Sequence, residues 1–387
     1  MGRLNGIVLF VCFSLALSQA GASSLEPTDL PSLISCIRIS GPLTFCNERV
    51  PLEDPQVRER LEKELLLSLW DRPQVILWLK RSTRYLPHIE KMLGERGVPD
   101  DLKYVAVAES ALRPHVGSVK GAIGFWQFMA YTARKNGLRV DARVDQRRNL
   151  FSSTEAAIGF LSLLQGKFGS WTLAVAAYNM GEEGLAFEIL EQETEDYYRL
   201  YLPLETQRFI FRILSVKLIF SDPERYGFKL EREDYYPPLK FERVHVDCPQ
   251  EMPIRVIAKA AQTHFKEIKD LNPEIRGHYL ARGTHELLIP KGSSEGFQDR
   301  YENLAKEFME ARRERVYVVN KGDSLSSIAG RFSVPVAALI LWNGIDPSRP
   351  IHPGDRLVVF RKELQDRDTE TGKETESSEN GPRDEKD

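Results

Sequence analysis

A single acidic side chain closes an otherwise apolar helical stripe, and this limits what the chain can be built around. Pro99-Asp100 opens a helical pattern. Leu102, Val105, Ala106 and Glu109 then fall at i, i+3, i+4 and i+7, on one face. That face should turn Glu109 toward the core side. Its place near a helix C-terminus sets it at the negative end of the helix dipole. Both effects disfavour the charged form, so the pattern predicts a carboxyl with a raised pKa. A carboxylic acid that keeps its proton near neutral pH is suited to protonating a glycosidic oxygen. The plainer alternative is a solvated glutamate at a helix end.

The stretch that follows is rich in turns and then in aromatics. Gly117, Gly121 and Gly124 precede Phe125-Trp126-Gln127-Phe128-Met129. Glycines let a backbone approach a neighbour or ligand closely. Trp126 reads as core. The amide of Gln127, set between aromatics, needs a partner, either backbone or a sugar's acetamido or hydroxyl group. A helix is predicted over 153–168, and another from Trp171 to Asn179 with Gly181 close behind. Tyr178 and Asn179 carry a phenol and an amide to its end. A cleft lining and a plain pairing of core tyrosine with C-cap asparagine fit that stretch equally. Leu204 to Ile219 gives one more helix, with Phe209, Ile213 and Val216 on a face and Glu205 in its first turn.

At 387 residues the chain has room for two or three domains. Arg3, the apolar run Ile7 to Leu17 and the small-residue sites at Ala20 and Ala22 read as a signal peptide over 1–22, cleaved near one of those alanines. The run is shorter than the ~20 residues of a spanning helix. The mature chain is therefore expected to be exported, to the periplasm or cell envelope, with no transmembrane span. A net charge of −3 gives no reason to expect nucleic acid as a partner. There is no CxxC, HExxH or EF-hand loop, so neither metal nor cofactor is expected. Cys36 and Cys46 bracket Gly41-Pro42, and their pairing stays open; Cys248 is left over.

Residues 34–94 read as packing for the site. They comprise a hairpin from Ile34 to Phe45 turning at Gly41-Pro42, a helix after Asp54-Pro55 with Val57, Leu61, Leu65, Leu66 and Leu69 at helical spacing, and helices over 73–81 and 85–96. Past Ser221 the composition shifts at Tyr235-Tyr236-Pro237-Pro238. Residues 241–291 follow a strand-helix-helix-strand plan. Residues 296–314 read as a charged linker helix, and 315–361 repeat the plan more cleanly. The run 362–387 is almost wholly polar and predicts a disordered tail. The fold class is mainly α, a helical domain followed by small α+β modules of βααβ order.

Four motifs in order resemble the catalytic domain of lytic transglycosylases of the membrane-bound murein transglycosylase D type. They are Glu109-Ser110, Gly121-x-x-Gly124-x-Trp126-Gln127-Phe128-Met129, Ala177-Tyr178-Asn179-x-Gly181 and Glu205-Thr206. Residues 316–360 resemble a LysM module, with Gly322-Asp323-Ser324-Leu325, Trp342-Asn343 and Pro353-Gly354. Residues 241–290 resemble a degenerate copy. The resemblance implies a lysozyme-like fold over 95–225. It also implies cleavage of the bond between N-acetylmuramic acid and N-acetylglucosamine in peptidoglycan, with a 1,6-anhydro end as product. Carried over, Glu109 is acid and then base. Gln127, Met129, Tyr178 and Asn179 line sugar subsites, supported by Ser110 and Glu205. In the LysM module Gly322, Asp323, Ser324, Leu325, Asn343, Gly344 and Ile345 would meet the N-acetylglucosamine units of glycan strands. One departure stands out: Phe209 occupies a position where the family usually has a tyrosine, so a phenol that could bond Glu109 is missing unless Tyr178 supplies it. The rival readings are a goose-type lysozyme-like hydrolase, with Asp141, Asp145, Glu182 or Glu183 as a second carboxylate, and a non-catalytic peptidoglycan-binding scaffold.

Overall fold

A computed structural model describes residues 31–314 and 316–360. The expected signal peptide (1–22) and charged tail (362–387) lie outside the described residues. The chain divides into two units: the residues up to Leu239 together with Pro273–Arg276, and Lys240–Asn272 together with the residues from Gly277 onward.

The first unit is helical. A short α1 (Leu33–Ile37) leads to a hairpin of β1 (Leu43–Phe45) and β2 (Glu48–Val50), paired Leu43 to Val50 and Phe45 to Glu48. The turn is therefore Cys46-Asn47, not Gly41-Pro42, and the segment at Ile34 is helix rather than strand. Both turn residues have positive φ, 50° and 65°, as a two-residue turn that follows strand twist requires. Cys36 and Cys46 are separate free thiols. The Cys46 amide instead donates to Asp101 at 2.7 Å.

Helix α2 (Pro55–Trp70) starts as expected, with the Asp54 side chain accepting from the Gln56 amide and Pro55 in the first turn. Val57, Leu61, Leu65 and Leu69 are buried along it. Helix α3 (Arg72–Glu95) is one element where two were expected, and it runs through Pro87. Pro87 cannot donate to the carbonyl one turn back. Leu79, Leu86, Ile89 and Leu93 nevertheless keep one buried face across the gap, and that burial holds the helix together. A 3-10 turn over Asp100–Leu102 runs into α4 (Lys103–Ser110).

Next come α5 (Ala130–Lys135), α6 (Leu150–Phe168), α7 (Trp171–Met180), α8 (Glu182–Gln192) and α9 (Leu204–Ser221). Helix α9 is the axis of the unit and packs against α2, α4 and α7. Phe209, Ile210, Phe211, Ile213, Leu214 and Val216 are all buried, so nearly its whole circumference is core. Helix α7 is set by a residue far away in sequence. The Glu48 carboxylate of β2 accepts from the amides of Trp171 and Thr172 and the hydroxyls of Ser170 and Thr172. An anion on the free N–H groups of a helix N-terminus is favourable. The far end of α7 carries Tyr178 and Asn179.

The second unit holds two small modules. In one, β3 (Phe241–Cys248) pairs antiparallel with β6 (Gly283–Pro290) along its whole length, and β4 (Met252–Pro253) pairs with β5 (Tyr279–Leu280). Helices α10 (Ile254–Ala260) and α11 (Phe265–Leu271) lie between the strands in sequence. Helix α12 (Phe297–Glu314) is not a free linker. Its stripe of Phe297, Tyr301, Ala305 and Phe308 is buried, it packs on α10, and Tyr301 donates to the Asp247 carbonyl at 2.8 Å. In the other module β7 (Val316–Val318) pairs with β8 (Arg356–Val358), around α13 (Leu325–Arg331) and α14 (Val336–Asn343).

One device makes the two modules copies of each other. At the end of α11, the Asn272 amide donates to Ile268 and Leu288 carbonyls and accepts from the Leu288 amide. At the end of α14, Asn343 does the same with Leu339 and Val358. Each asparagine stitches the second helix to the last strand.

Candidate active site

Helix α4 ends on the Glu109-Ser110 pair, because Ala111 and Leu112 both turn left-handed, with φ of 53° and 59°. Such conformations cost non-glycine residues free energy and tend to mark functional sites. Ser110 is buried; its hydroxyl donates to the Ala106 carbonyl and accepts from the Arg113 amide, which fixes the helix end. Glu109 is half-buried. Among the described residues its carboxyl makes no hydrogen bond and no ion pair. Burial pushes its pKa up to about 8; Arg212 draws it down and Glu205 adds to the rise.

The glycine-punctuated run forms a tight double loop. The Ile123 amide donates to the Phe128 carbonyl, and the Gly124 amide to Val116. Gly124 has φ +88°, and a Cβ there would lie 1.8 Å from the Arg147 carbonyl oxygen. Only glycine fits that crossing. The Arg147 guanidinium is buried in a two-pronged pair with Asp145, at 2.8 and 2.9 Å, and also donates to the Gly121 and Phe128 carbonyls at 3.1 Å each. It thus holds both ends of the loop. Gln127 sits at its tip with φ 49°. Its amide nitrogen donates to the Gly124 and Val116 carbonyls, so its donors go to backbone, and its oxygen is open among the described residues. Trp126 is core as expected, with its indole N–H on Thr154 at 3.0 Å. Met129 is exposed.

The opposite side comes from α7 and α9. The Tyr178 hydroxyl donates to the Trp126 carbonyl at 2.6 Å, and its ring packs edge-on against Phe128. Asn179 accepts from the Thr206 hydroxyl at 2.9 Å, and its amide nitrogen is open among the described residues. Glu205 pairs with Arg212, 3.3 Å apart, about two turns along the same helix. Phe209 is buried in the core. Tyr178 therefore does not stand in for the absent phenol, because its proton is already given to a carbonyl.

Most of the other acids considered as a second carboxylate are engaged elsewhere. Asp145 is locked to Arg147, which holds it below the usual carboxylate range against the cost of burial. Asp141 pairs with Arg139 and accepts two backbone amides, with its pKa down to about 2. Glu182 binds Lys167, and Glu183 points to solvent. Arg147, Arg212 and Thr154 had no part in the reading of the sequence. Thr154 meets Trp126 28 residues away and Arg147 meets Gly121 26 residues away, beyond the reach of a local pattern.

Family models match the chain in three places: a transglycosylase SLT domain over residues 87–200, the LysM-like domain of lytic transglycosylase MltD over 240–306, and a LysM domain over 317–360. The membrane-bound lytic murein transglycosylase D of Escherichia coli is 30% identical over 324 residues, which cover 79% of this chain and 69% of that protein. The chain belongs to this lytic transglycosylase family. A peptidoglycan transglycosylase of Escherichia phage T7 is 40% identical over 105 residues, 26% of this chain and 8% of that one. The 70 kDa soluble lytic transglycosylase of Escherichia coli superposes with a TM-score of 0.33 at 16% identity, over 45% of this chain and 32% of its own. The chain thus spans about a third of that structure.

In this lytic transglycosylase the LysM residues singled out in the sequence divide by what they do. Asp323 is spent inside the module: it accepts from the Tyr317 hydroxyl at 2.6 Å and the Asn320 amide at 2.8 Å. Ser324 caps α13, and Asn343 is the stitch described above. Gly322 and Gly344 supply positive φ at the two turns, and Leu325 and Ile345 pack partly on the small core. The side chains of Asp323 and Asn343 therefore shape the two loops.

Proposed function

We propose that Glu109 carries both proton transfers of a peptidoglycan lytic transglycosylase. In the first step its carboxylic acid protonates the bridging oxygen between N-acetylmuramic acid and N-acetylglucosamine as the C1–oxygen bond breaks. In the second its carboxylate takes the proton of the muramyl C6 hydroxyl as that oxygen bonds to C1. The acid is restored, no water is consumed, and the product ends in a 1,6-anhydro ring. An internal hydroxyl brings a high effective molarity and needs no second carboxylate to activate it.

The observation that carries this reading is the unpartnered, half-buried Glu109 carboxyl with its pKa near 8. At neutral pH such a group is mostly protonated, and an acid catalyst works best near its own pKa. Gln127, Met129, Tyr178 and Asn179 form the subsite walls, with an open amide oxygen on Gln127 and an open amide nitrogen on Asn179 for sugar groups. Ser110 and Glu205 support them. Glu205 is the acid whose charge acts on Glu109, and its pairing with Arg212 weighs against a role as base for water. The LysM modules hold the enzyme on its polymer and raise the local concentration of bonds. The relative's membrane-bound name and the N-terminal apolar run support an envelope location.

Mass spectrometry of the fragments released from purified peptidoglycan tests the reading. Anhydro ends are expected. Free reducing ends without anhydro sugars would replace it with hydrolysis.

A further inference from the structure

Four large apolar side chains are exposed within eighteen residues of sequence: Phe187 and Leu190 on α8, Tyr201 on the loop, and Leu204 at the start of α9. Scattered exposed apolar groups are ordinary, but a cluster calls for an explanation. Tyr201 is the sharpest case. Its side chain is 82% exposed, while Leu200 and Leu202 on either side are buried. Its backbone is pinned at both groups by one side chain: the Tyr201 amide donates to the Gln192 oxygen at 2.7 Å, and the Gln192 nitrogen donates back to the Tyr201 carbonyl at 3.0 Å. The loop thus holds a bare aromatic ring at a fixed point. A preset ring loses little freedom when it meets a ligand.

Along the chain the strip runs into the part of α9 that borders the active site. Four residues after Tyr201 comes Glu205, paired with Arg212, and the next residue, Thr206, holds Asn179. We infer that Tyr201 and Leu204 form a remote subsite for a neutral sugar ring of the same glycan strand, beyond the sugars that flank the cleaved bond. A pyranose presents a face of C–H groups that suits an aromatic ring, and hydroxyls at its rim that suit a phenol. The surroundings favour a neutral ligand. Glu191, Glu193 and Glu195 are exposed around the loop, and Asp196 there is paired with Arg199 at 3.3 Å, so the surroundings are acidic on balance and disfavour a phosphate headgroup. A polymeric substrate supplies the further sugars such a strip needs. This inference rests on the peptidoglycan reading of the site.

The test compares long uncrosslinked glycan strands with tetrasaccharides as substrates for the full chain. Parallel binding measurements are made in the Glu109→Gln background. The unaltered protein should bind long strands more tightly than short ones. Tyr201→Ala should cut that advantage about tenfold, and Tyr201→Phe should restore most of it. LysM binding is common to all these proteins and cancels in the ratio. An undiminished advantage in Tyr201→Ala overturns the inference, as does an equal loss on long and short substrates. Because binding is read without cleavage, a failure of the anhydro-product reading shows separately, in the fragments made by the unaltered protein.

Discussion

The Tyr178 hydroxyl lies 2.6 Å from the carbonyl oxygen of Trp126 and gives its proton there. That bond ties the end of α7 to the glycine loop, and it withholds a donor from Glu109. With Phe209 buried in place of a tyrosine, the acid stands in the site without a phenolic partner. Burial raises its pKa, and the absence of a phenolic hydrogen bond leaves that rise without the offset such a bond to the carboxylate would give.

Replacing the acid should separate chemistry from binding. Glu109→Gln is expected to lower the cleavage rate by roughly a thousandfold or more while sedimentation with cell-wall sacculi is kept. Loss of sedimentation would mean that the residue was needed for the fold instead.

The same variant should be the more stable protein at alkaline pH. The folded pKa of about 8 lies above the ordinary glutamate value of 4.5, so the folded state holds the proton more tightly. The stabilisation this brings is complete below pH 4.5 and is lost as pH rises through 8. Denaturant midpoints of the two proteins should draw together in acid and diverge by on the order of 3 kcal/mol above pH 8. A constant gap would show that Glu109 is not buried uncharged.

Activity should fall on the alkaline side near pH 8, and the two charged neighbours should move that limb in opposite directions. Glu205→Gln removes a repelling charge, so Glu109 ionises more readily and the limb shifts to lower pH. Arg212→Gln removes an attracting one and shifts it to higher pH. A pH profile of kcat/KM for each variant reads the sign directly.

Arg147→Met leaves the buried Asp145 with only the longer Arg148 contact at 3.6 Å and releases two loop carbonyls. Breaking such a pair should cost about 3–5 kcal/mol, measured by urea unfolding. A loss under 1 kcal/mol would mean that the loop holds itself.

Gly124→Ala should fail more severely than a usual surface change. The added methyl would overlap the Arg147 carbonyl, and the backbone is left-handed there. A loss of roughly 3 kcal/mol or more is expected, with the melting temperature as readout. Tolerance of the methyl would require the two chain segments to separate.

Much of this molecule was readable from its residues, for physical reasons that can be named. Glu109 stood out because helical period fixes which face a side chain shares. The two βααβ modules stood out because turn chemistry and apolar spacing repeat. Contacts made by chance of topology left no trace. The loop carbonyls that bind Arg147 lie 19 and 26 residues before it. Asn343 looks like a helix cap, yet its partner strand comes 15 residues later. The turn at Cys46-Asn47 was missed because a cysteine carries no preference for positive φ. The unbroken α3 was missed because local rules stop a helix before Pro87, and only the packed unit overrides them.

The reach of Glu48 matters for anyone wishing to dissect the protein. The matched transglycosylase segment begins at residue 87 and ends at 200, but the carboxylate that seats α7 comes from the hairpin upstream, and the helix that carries Glu205 and Thr206 lies downstream. A fragment trimmed to those limits would keep the acid and lose both the anchor and the far wall. The smallest autonomous enzyme must therefore start before the hairpin and extend past Ser221.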